Sequence, residues 1–322
     1  MVENGAVKEC LLTVENHIVV IGFGNQARAW CANLRDSGFT VSVWLRENSP
    51  KRTEVSKHFP LFTPGKSTPP LHFAWLIPDD QIAAALAQFA PQIPAGSLML
   101  YAHGWALVED QLAEKFPQFD HALLAPKAIG TEVRNAFLEK RRLGGVYSLE
   151  FIAAKDKDLR RRELLALANG LGITWGPFEV TARQELTADL FSEQAVLCSV
   201  IPESARLAFG LLVDRGIPAE LAYLELWHEV GLIVKAMTEL GPAGFFQLIS
   251  PNALIGSEKG RALLCDEAFT HKLQQLLADI ESGRFKTEVR ETQLPELRAE
   301  IQARWTDDPL TRAHHRMTKA AP

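Results

Sequence analysis

Val19-Val20-Ile21-Gly22-Phe23-Gly24-Asn25-Gln26-Ala27 reads as a strand, a G-x-G-x-x-A turn and the opening of a helix. Each position has a physical task. Gly22 permits the tight turn, Gly24 lets backbone approach a pyrophosphate, and the small Ala27 lets the helix pack closely on the strand. The helix amino terminus offers unpaired N–H groups and a favourable dipole to phosphate. A glycine motif alone is a weak signal. Placed after a strand and at the start of a βαβ unit, it points to dinucleotide binding. Gly22, Phe23, Gly24, Asn25 and Gln26 are the first cofactor-binding candidates.

Around this loop, short apolar runs alternate with helical patterns, which argues for a parallel α/β sheet. Candidate strands are His17–Ile21, Thr40–Leu45, Phe73–Ile77, Leu98–Ala102, His121–Ala125 and Gly145–Ala153. Helical patterns such as Asn25–Asp36 and Asp80–Phe89 separate most of them, and Pro60, Pro64, Pro69 and Pro70 mark a surface connection. A last strand-like run, Thr174–Val180, ends the alternation. Long amphipathic patterns follow at Glu185–Gly210, Pro218–Glu239 and Asp266–Glu281, and Ser282-Gly283 stops the last of them. The expected organisation is an α/β Rossmann domain over 1–180 and an all-α domain over 181–322.

The end of the second strand distinguishes NAD from NADP, because NAD enzymes usually place an acid there to hold the ribose hydroxyls. Here the run is Leu45-Arg46-Glu47-Asn48-Ser49-Pro50-Lys51-Arg52. Arg46, Ser49, Lys51 and Arg52 suit a 2′-phosphate. Glu47 is the discordant acid, and a solvated charged loop is the alternative. The expectation is NADPH. Asp79 and Gly130 are counted with the cofactor-binding residues.

Two carboxylate pairs lie downstream at i, i+4 spacing: Asp189 with Glu193, and Glu225 with Glu229. On a helix this spacing puts both acids on one face. Leu190, Phe191, Ala195 and Val196 surround the first pair, and Leu224, Leu226, Trp227 and Val230 the second, which predicts apolar, buried settings. Four crowded carboxylates repel unless neutralised. Two divalent cations would balance them, and hard oxygen ligands in small number suit Mg²⁺. His228, inside the second pair, is a ligand candidate or simply a packed histidine. Tyr101-Ala102-His103-Gly104 and Ala125-Pro126-Lys127-Ala128-Ile129-Gly130 both follow predicted strands, where ligands bind in such sheets. His103 and Lys127 are the catalytic candidates.

The chain has 322 residues, 47% of them hydrophobic, enough to bury a sizeable core. A net charge of −5 gives no basic field for nucleic acid or a membrane surface. Cys10, Cys31, Cys198 and Cys265 are scattered, without C-x-x-C spacing, which fits a reducing cytoplasm. The first ten residues lack the apolar stretch of a secretory signal, and no uninterrupted apolar run reaches the roughly 18 residues of a membrane span.

At these residues the chain resembles the ketol-acid reductoisomerases, the acetohydroxy acid isomeroreductases of isoleucine and valine synthesis. Gly22-Phe23-Gly24-Asn25-Gln26, Leu34-Arg35-Asp36-Ser37-Gly38, Ala102-His103-Gly104 and Ala125-Pro126-Lys127 carry the resemblance. So do Asp189-Leu190-Phe191-x-Glu193-Gln194, Ala222-Tyr223 with Glu225, His228-Glu229, Ile249-Ser250 and Ile280-x-Ser282-Gly283-x-Phe285. The length resembles the family's short form. The resemblance implies a knotted helical carboxy-terminal domain and a homodimer with shared active sites. It places Asp189, Glu193, Glu225 and Glu229 at metal positions, Ser250 at substrate, and His103 and Lys127 at the reacting centre. The implied reaction is a Mg²⁺-dependent alkyl shift in a 2-acyl-2-hydroxy acid such as 2-acetolactate, then reduction by NADPH to a dihydroxy acid.

Departures cluster at the substrate loops. The family's P-K-G-P-G is Pro126-Lys127-Ala128-Ile129-Gly130, and its Gly-Val-Pro turn is replaced around Gly144-Gly145-Val146-Tyr147. Trp105-Ala106 follows His103-Gly104 where the family has Phe-Asn, and Pro251-Asn252 follows Ser250 in place of Asn-Thr. The competing readings are therefore a plain keto-acid reductase on another substrate and a catalytically silent nucleotide-binding homologue. A metal-free hydroxyacid dehydrogenase leaves the two carboxylate pairs unexplained.

Overall fold

Alternate residues of each central strand feed opposite sides of one sheet, which is why these strands read as unbroken apolar runs. In β1 (His17–Ile21), Ile18 and Val20 join one buried cluster while Val19 and Ile21 join the other. The same division runs through β3 (His72–Trp75), β4 (Leu98–Tyr101) and β5 (Asp120–Pro126). Burial on both faces is the signature of a sheet covered by helices on each side.

The computed structural model describes residues 16–65, 69, 71–153 and 156–319. Cys10, the remainder of the first ten residues and Pro70 lie outside them. The sheet has seven strands in the order β2-β1-β3-β4-β5-β6-β7, with β2 (Thr40–Trp44), β6 (Gly144–Phe151) and β7 (Trp175–Glu179) completing it. Neighbours pair in parallel except β5 and β6, which run antiparallel. The expected parallel sheet is present, with one antiparallel junction that the pattern did not show. The connection between them, helix α3 (Gly130–Leu138), is short and returns the chain to the same end of the sheet it left. Each strand found by pattern is present to within two residues at either end.

Helix α1 (Asn25–Asp36) buries Ala27, Trp30, Cys31 and Leu34 on one side of the sheet, and α4 (Lys157–Leu171) packs there with Leu164, Leu167 and Leu171. Helix α2 (Asp79–Phe89) covers the other side with Ile82 and Leu86. At the sheet end remote from the glycine loop, a charged group is fully internal. Arg160 donates to Asp120 and Glu163 at 2.8 and 2.7 Å and to the Gly96 carbonyl at 2.8 Å, and His72 lies 3.3 Å from Glu163. Burial acts to raise the Glu163 carboxyl, but its His72 and Arg160 partners outweigh that and hold it at about 2.

The chain divides into two units, Met1–Leu186 and Thr187–Pro322. The second is helical. Helix α5 (Ala182–Ser192) opens with a reciprocal cap: the Gln184 amide N–H donates to Thr181 Oγ1, and the Thr181 N–H donates to Gln184 Oε1. After it come a π turn (Glu193–Leu197) and α6 (Val200–Asp214). A second rod runs from α7 (Ala219–Tyr223) through another π turn (Leu224–His228) into α8 (Glu229–Leu248), which breaks at Gly241 ahead of Pro242. Helices α9 (Pro251–Leu264), α10 (Glu267–Glu281), α11 (Arg284–Glu291), α12 (Leu294–Thr306) and α13 (Pro309–Lys319) complete it.

Among the described residues one helical run, Ala182–Asp214, is long and apolar enough to span a membrane by length and composition, although charged residues interrupt it. It also carries Asp189 and Glu193, and only 11% of its most apolar window is buried within the chain.

Candidate active site

The glycine loop is shaped by its surroundings as the motif requires. Gly22 sits at φ +93°, and a Cβ there would lie 2.6 Å from Ile77 Cγ2, so only glycine fits. At Gly24 nothing lies within 4 Å of where a Cβ would stand. Gly130 is as constrained as Gly22, for a different reason: an added Cβ would meet the Asn25 carbonyl oxygen at 2.3 Å. The start of α3 thus presses directly on the nucleotide loop. Gln26 fastens the same contact, its Nε2 donating to the Ala128 carbonyl at 2.8 Å.

The residues expected at the ribose phosphate divide into two groups. Lys51 Nζ donates to the Phe23 carbonyl at 2.9 Å and Arg52 to the Leu45 carbonyl at 3.0 Å, so both brace the loop itself. Arg46 and Glu47 are exposed at the end of β2, with Ser49 half-buried beside them. Arg28 stacks over the Phe23 ring at 4.6 Å and pairs with Glu54, closing the side of the loop.

His103 follows β4, and Lys127 follows β5, at the strand ends that also carry the glycine loop. His103 Nδ1 lies 3.1 Å from Asp79 Oδ2. A carboxylate only accepts, so Nδ1 carries the hydrogen and the ring is held in one tautomer. Asp79, expected at the cofactor, is found orienting this histidine from the first turn of α2. Lys127 Nζ donates to Glu185 Oε1 at 2.5 Å, and the Gly104 N–H donates to Glu185 Oε2 at 2.7 Å. Glu185 is buried, and a ligand atom of His103 lies within 4.8 Å of it. Gly104 permits the approach: a Cβ there would meet the Ala182 carbonyl at 2.4 Å.

Glu185 is the site residue that the motif reading missed. A signal was present, since Glu185, Asp189 and Glu193 continue one ladder at i, i+4 and i+8. What hid it was the long-range partner, because nothing local pairs residue 185 with Lys127.

Within the helical unit, Asp189 lies half-buried in the last turn of α5, and Glu193 begins the first π turn, exposed. Glu225 lies in the second π turn and Glu229 immediately after it, both exposed, as is His228. The expectation of buried carboxylate pairs is not met within one chain. Of their apolar neighbours, Val196 is 45% and Leu224 40% exposed, while Ala195 is buried. Both π turns pack on α6. Each lies in a backbone form that is rare and concentrated at functional positions. Glu225 lines a recess of about 340 Å³ with Ile201, Ser204, Ala208 and Val230. The carboxylates' field is felt locally, since the Cys198 thiol is pushed up by burial and then by the charges of Glu193 and Asp189. Ser250 is exposed and caps α9, its Oγ accepting from the Ala253 N–H at 3.2 Å.

Comparison with known proteins meets this geometry from outside. The family model described as "Acetohydroxy acid isomeroreductase, NADPH-binding domain" matches residues 12–176, and "Ketol-acid reductoisomerase, C-terminal domain" matches 183–321. A ketol-acid reductoisomerase (NADP(+)) from Sulfolobus acidocaldarius is 34% identical over 275 residues, covering 84% of this chain and 82% of that protein. One from Methanocaldococcus jannaschii is 31% identical over 291 residues, with 88% and 86% covered. Among solved structures, an NADH-preferring ketol-acid reductoisomerase from an uncultured archean superposes with a TM-score of 0.82 at 27% identity, covering 95% and 94%. A semialdehyde dehydrogenase NAD-binding protein from Cupriavidus necator, at 18% identity and a TM-score of 0.60 over 84% and 99%, shares the fold alone. With a glycine loop whose first glycine admits no side chain, a lysine–glutamate pair beside it and family models matching nearly end to end, the chain belongs to the ketol-acid reductoisomerase family.

Proposed function

We propose that this protein converts 2-acetolactate-type 2-acyl-2-hydroxy acids to 2,3-dihydroxy acids, using NADPH and two Mg²⁺ ions. The observation that carries the reading is the Lys127–Glu185–Gly104 arrangement beside the glycine loop. In the isomerisation an alkyl group migrates from C2 to C3, the C2 hydroxyl loses its proton to become a ketone, and the C3 carbonyl oxygen gains one. Hydride from the nicotinamide then enters C2, with a proton to its oxygen.

Asp189, Glu193, Glu225 and Glu229 would hold the metals. Their hard oxygen donors and the negative charge felt at Cys198 fit a divalent cation. Bound Mg²⁺ supplies Lewis-acid polarisation of neighbouring carbonyl and alkoxide oxygens. Glu185 fixes the Lys127 ammonium, which donates toward the substrate, and Asp79 fixes the His103 ring beside it. Ser250 would hold the substrate carboxylate. The relatives named for NADP(+), together with Arg46 and Ser49 at the ribose end, support NADPH over NADH despite Glu47. On the same reading a homodimer covers the apolar helices, no nucleic acid or membrane takes part, and the enzyme works in the cytoplasm.

A plain reductase is the second reading, favoured by Ile129, which stands 66% exposed beside Lys127 where the family has proline. The Trp105-Ala106 departure gives it no support, since both side chains are buried in packing. The assay is NADPH oxidation with Mg²⁺ and 2-acetolactate, expected to turn over. Oxidation with 3-hydroxy-3-methyl-2-ketobutyrate but not with 2-acetolactate would establish the reductase instead.

A further inference from the structure

The carboxylates Glu225 and Glu229 are held from behind by the end of the chain. Along their rod, Glu220, Tyr223 and Trp227 form the face turned to the carboxy-terminal helices, while Glu225 and Glu229 lie off it, exposed. Each of the three residues on that face is gripped by α12 or α13. Arg316 Nε donates to Glu220 Oε1 at 3.1 Å, His314 Nδ1 lies 2.9 Å from the Tyr223 hydroxyl, and Trp305 lies 6.3 Å from Trp227, ring centre to ring centre. Beneath them, Leu310 and Ala313 of α13 bury against Phe209, Ala222 and Tyr223.

These contacts hold the π turn Leu224–His228 at its leading flank, through Glu220 and Tyr223, and from within, at Trp227. A π turn is the rarer helical form and persists where tertiary contacts fix its flanks. Glu225 and Glu229 are exposed, so packing of their own side chains does not set their position. The backbone does, and Tyr223 is the buried anchor immediately ahead of it. His314 is the one group hydrogen-bonded to that anchor's hydroxyl among the described contacts.

We propose that His314 is a positioning residue for the Glu225–Glu229 pair, acting through the Tyr223 hydroxyl to hold the π turn in its metal-binding shape. This rests on the reading of those carboxylates as Mg²⁺ ligands. Its consequence is that metal affinity is set partly by the carboxy-terminal helix, which itself offers no ligand.

The test is calorimetric titration of the full-length protein with Mg²⁺, beside NADPH affinity and thermal unfolding. His314→Leu is expected to weaken Mg²⁺ binding about 10-fold, leave NADPH affinity within about 2-fold, and raise the Mg²⁺ requirement for turnover. His314→Asn, whose Oδ1 takes the place of Nδ1, is expected to restore most of the affinity. Tyr223→Phe removes only the hydroxyl, keeps the packing and is expected to reproduce the loss even where His314→Leu fails to fold. Wild-type Mg²⁺ affinity in Tyr223→Phe, or no rescue by asparagine in a folded protein, would overturn the proposal. Glu225→Gln separates the two levels. If it binds Mg²⁺ as tightly as wild type, the ligand assignment fails, and the positioning role fails with it.

Discussion

At the scale of single residues, the decisive groups are carboxylates whose partners come from afar. Glu185 accepts from both Lys127 and the Gly104 backbone. Glu185→Gln removes the charge from that bond, and a charge-assisted hydrogen bond is worth about 1.5–3 kcal/mol. The expected outcome is a 10- to 100-fold fall in kcat with NADPH affinity unchanged, read by steady-state kinetics and fluorescence titration. An equal loss of cofactor affinity would contradict the assignment. Glu163 makes a pH prediction. Its folded value of about 2 lies below the ordinary 4.5, so its stabilisation is complete above pH 4.5 and is lost as pH falls toward 2. At about 1.4 kcal/mol per unit that amounts to roughly 3 kcal/mol. Unfolding by urea across this range should show the loss, and Glu163→Gln should flatten it. Glycine spacing and i, i+4 acids were legible in the sequence. The Asp79–His103 and Lys51–Phe23 contacts were not, because strand-end loops converge only once the sheet order is known.

At the scale of elements, the strands were legible because burial on both faces leaves an unbroken apolar run. The direction of β6 was not: Gly144-Gly145-Val146-Tyr147-Ser148 carries no mark of polarity along the strand. Nor were the π turns, since a pattern read at 3.6 residues per turn assumes the very helix that they interrupt. Helix α3 meets the glycine loop at Gly130, where one methyl group would occupy the space of the Asn25 carbonyl. Gly130→Ala is expected to cost about 1–3 kcal/mol of stability through overpacking and to weaken NADPH binding by displacing the loop. Thermal unfolding with and without cofactor measures both, and unchanged affinity would separate α3 from the nucleotide site.

At the scale of the whole molecule, the helical unit exposes far more apolar surface than a monomer ordinarily leaves to water. Leu207 and Leu211 stand one turn apart on α6 at 58% and 69% exposure, and Ile255, Leu263 and Leu264 of α9 exceed that. The proposed dimer answers this surface. Leu211→Asp is expected to shift sedimentation from dimer to monomer and to abolish turnover while NADPH still binds. A wild-type protein that sediments as a monomer at micromolar concentration would remove the dimer from the reading.

The π turn at Leu224–His228 has a consequence for how this rod can change. It amounts to one residue slipped into an α-helix, so every side chain beyond it is turned by about 100° relative to an uninterrupted helix. Removing a single residue there would let the turn close into ordinary α-helix with Glu229 near its present bearing, whereas adding one would swing Glu229 and the rest of α8 away from it. Length is therefore free in one direction only: the rod can lose a residue at the slip but cannot gain one. A one-residue insertion after Leu226 should be far more damaging than deletion of that leucine.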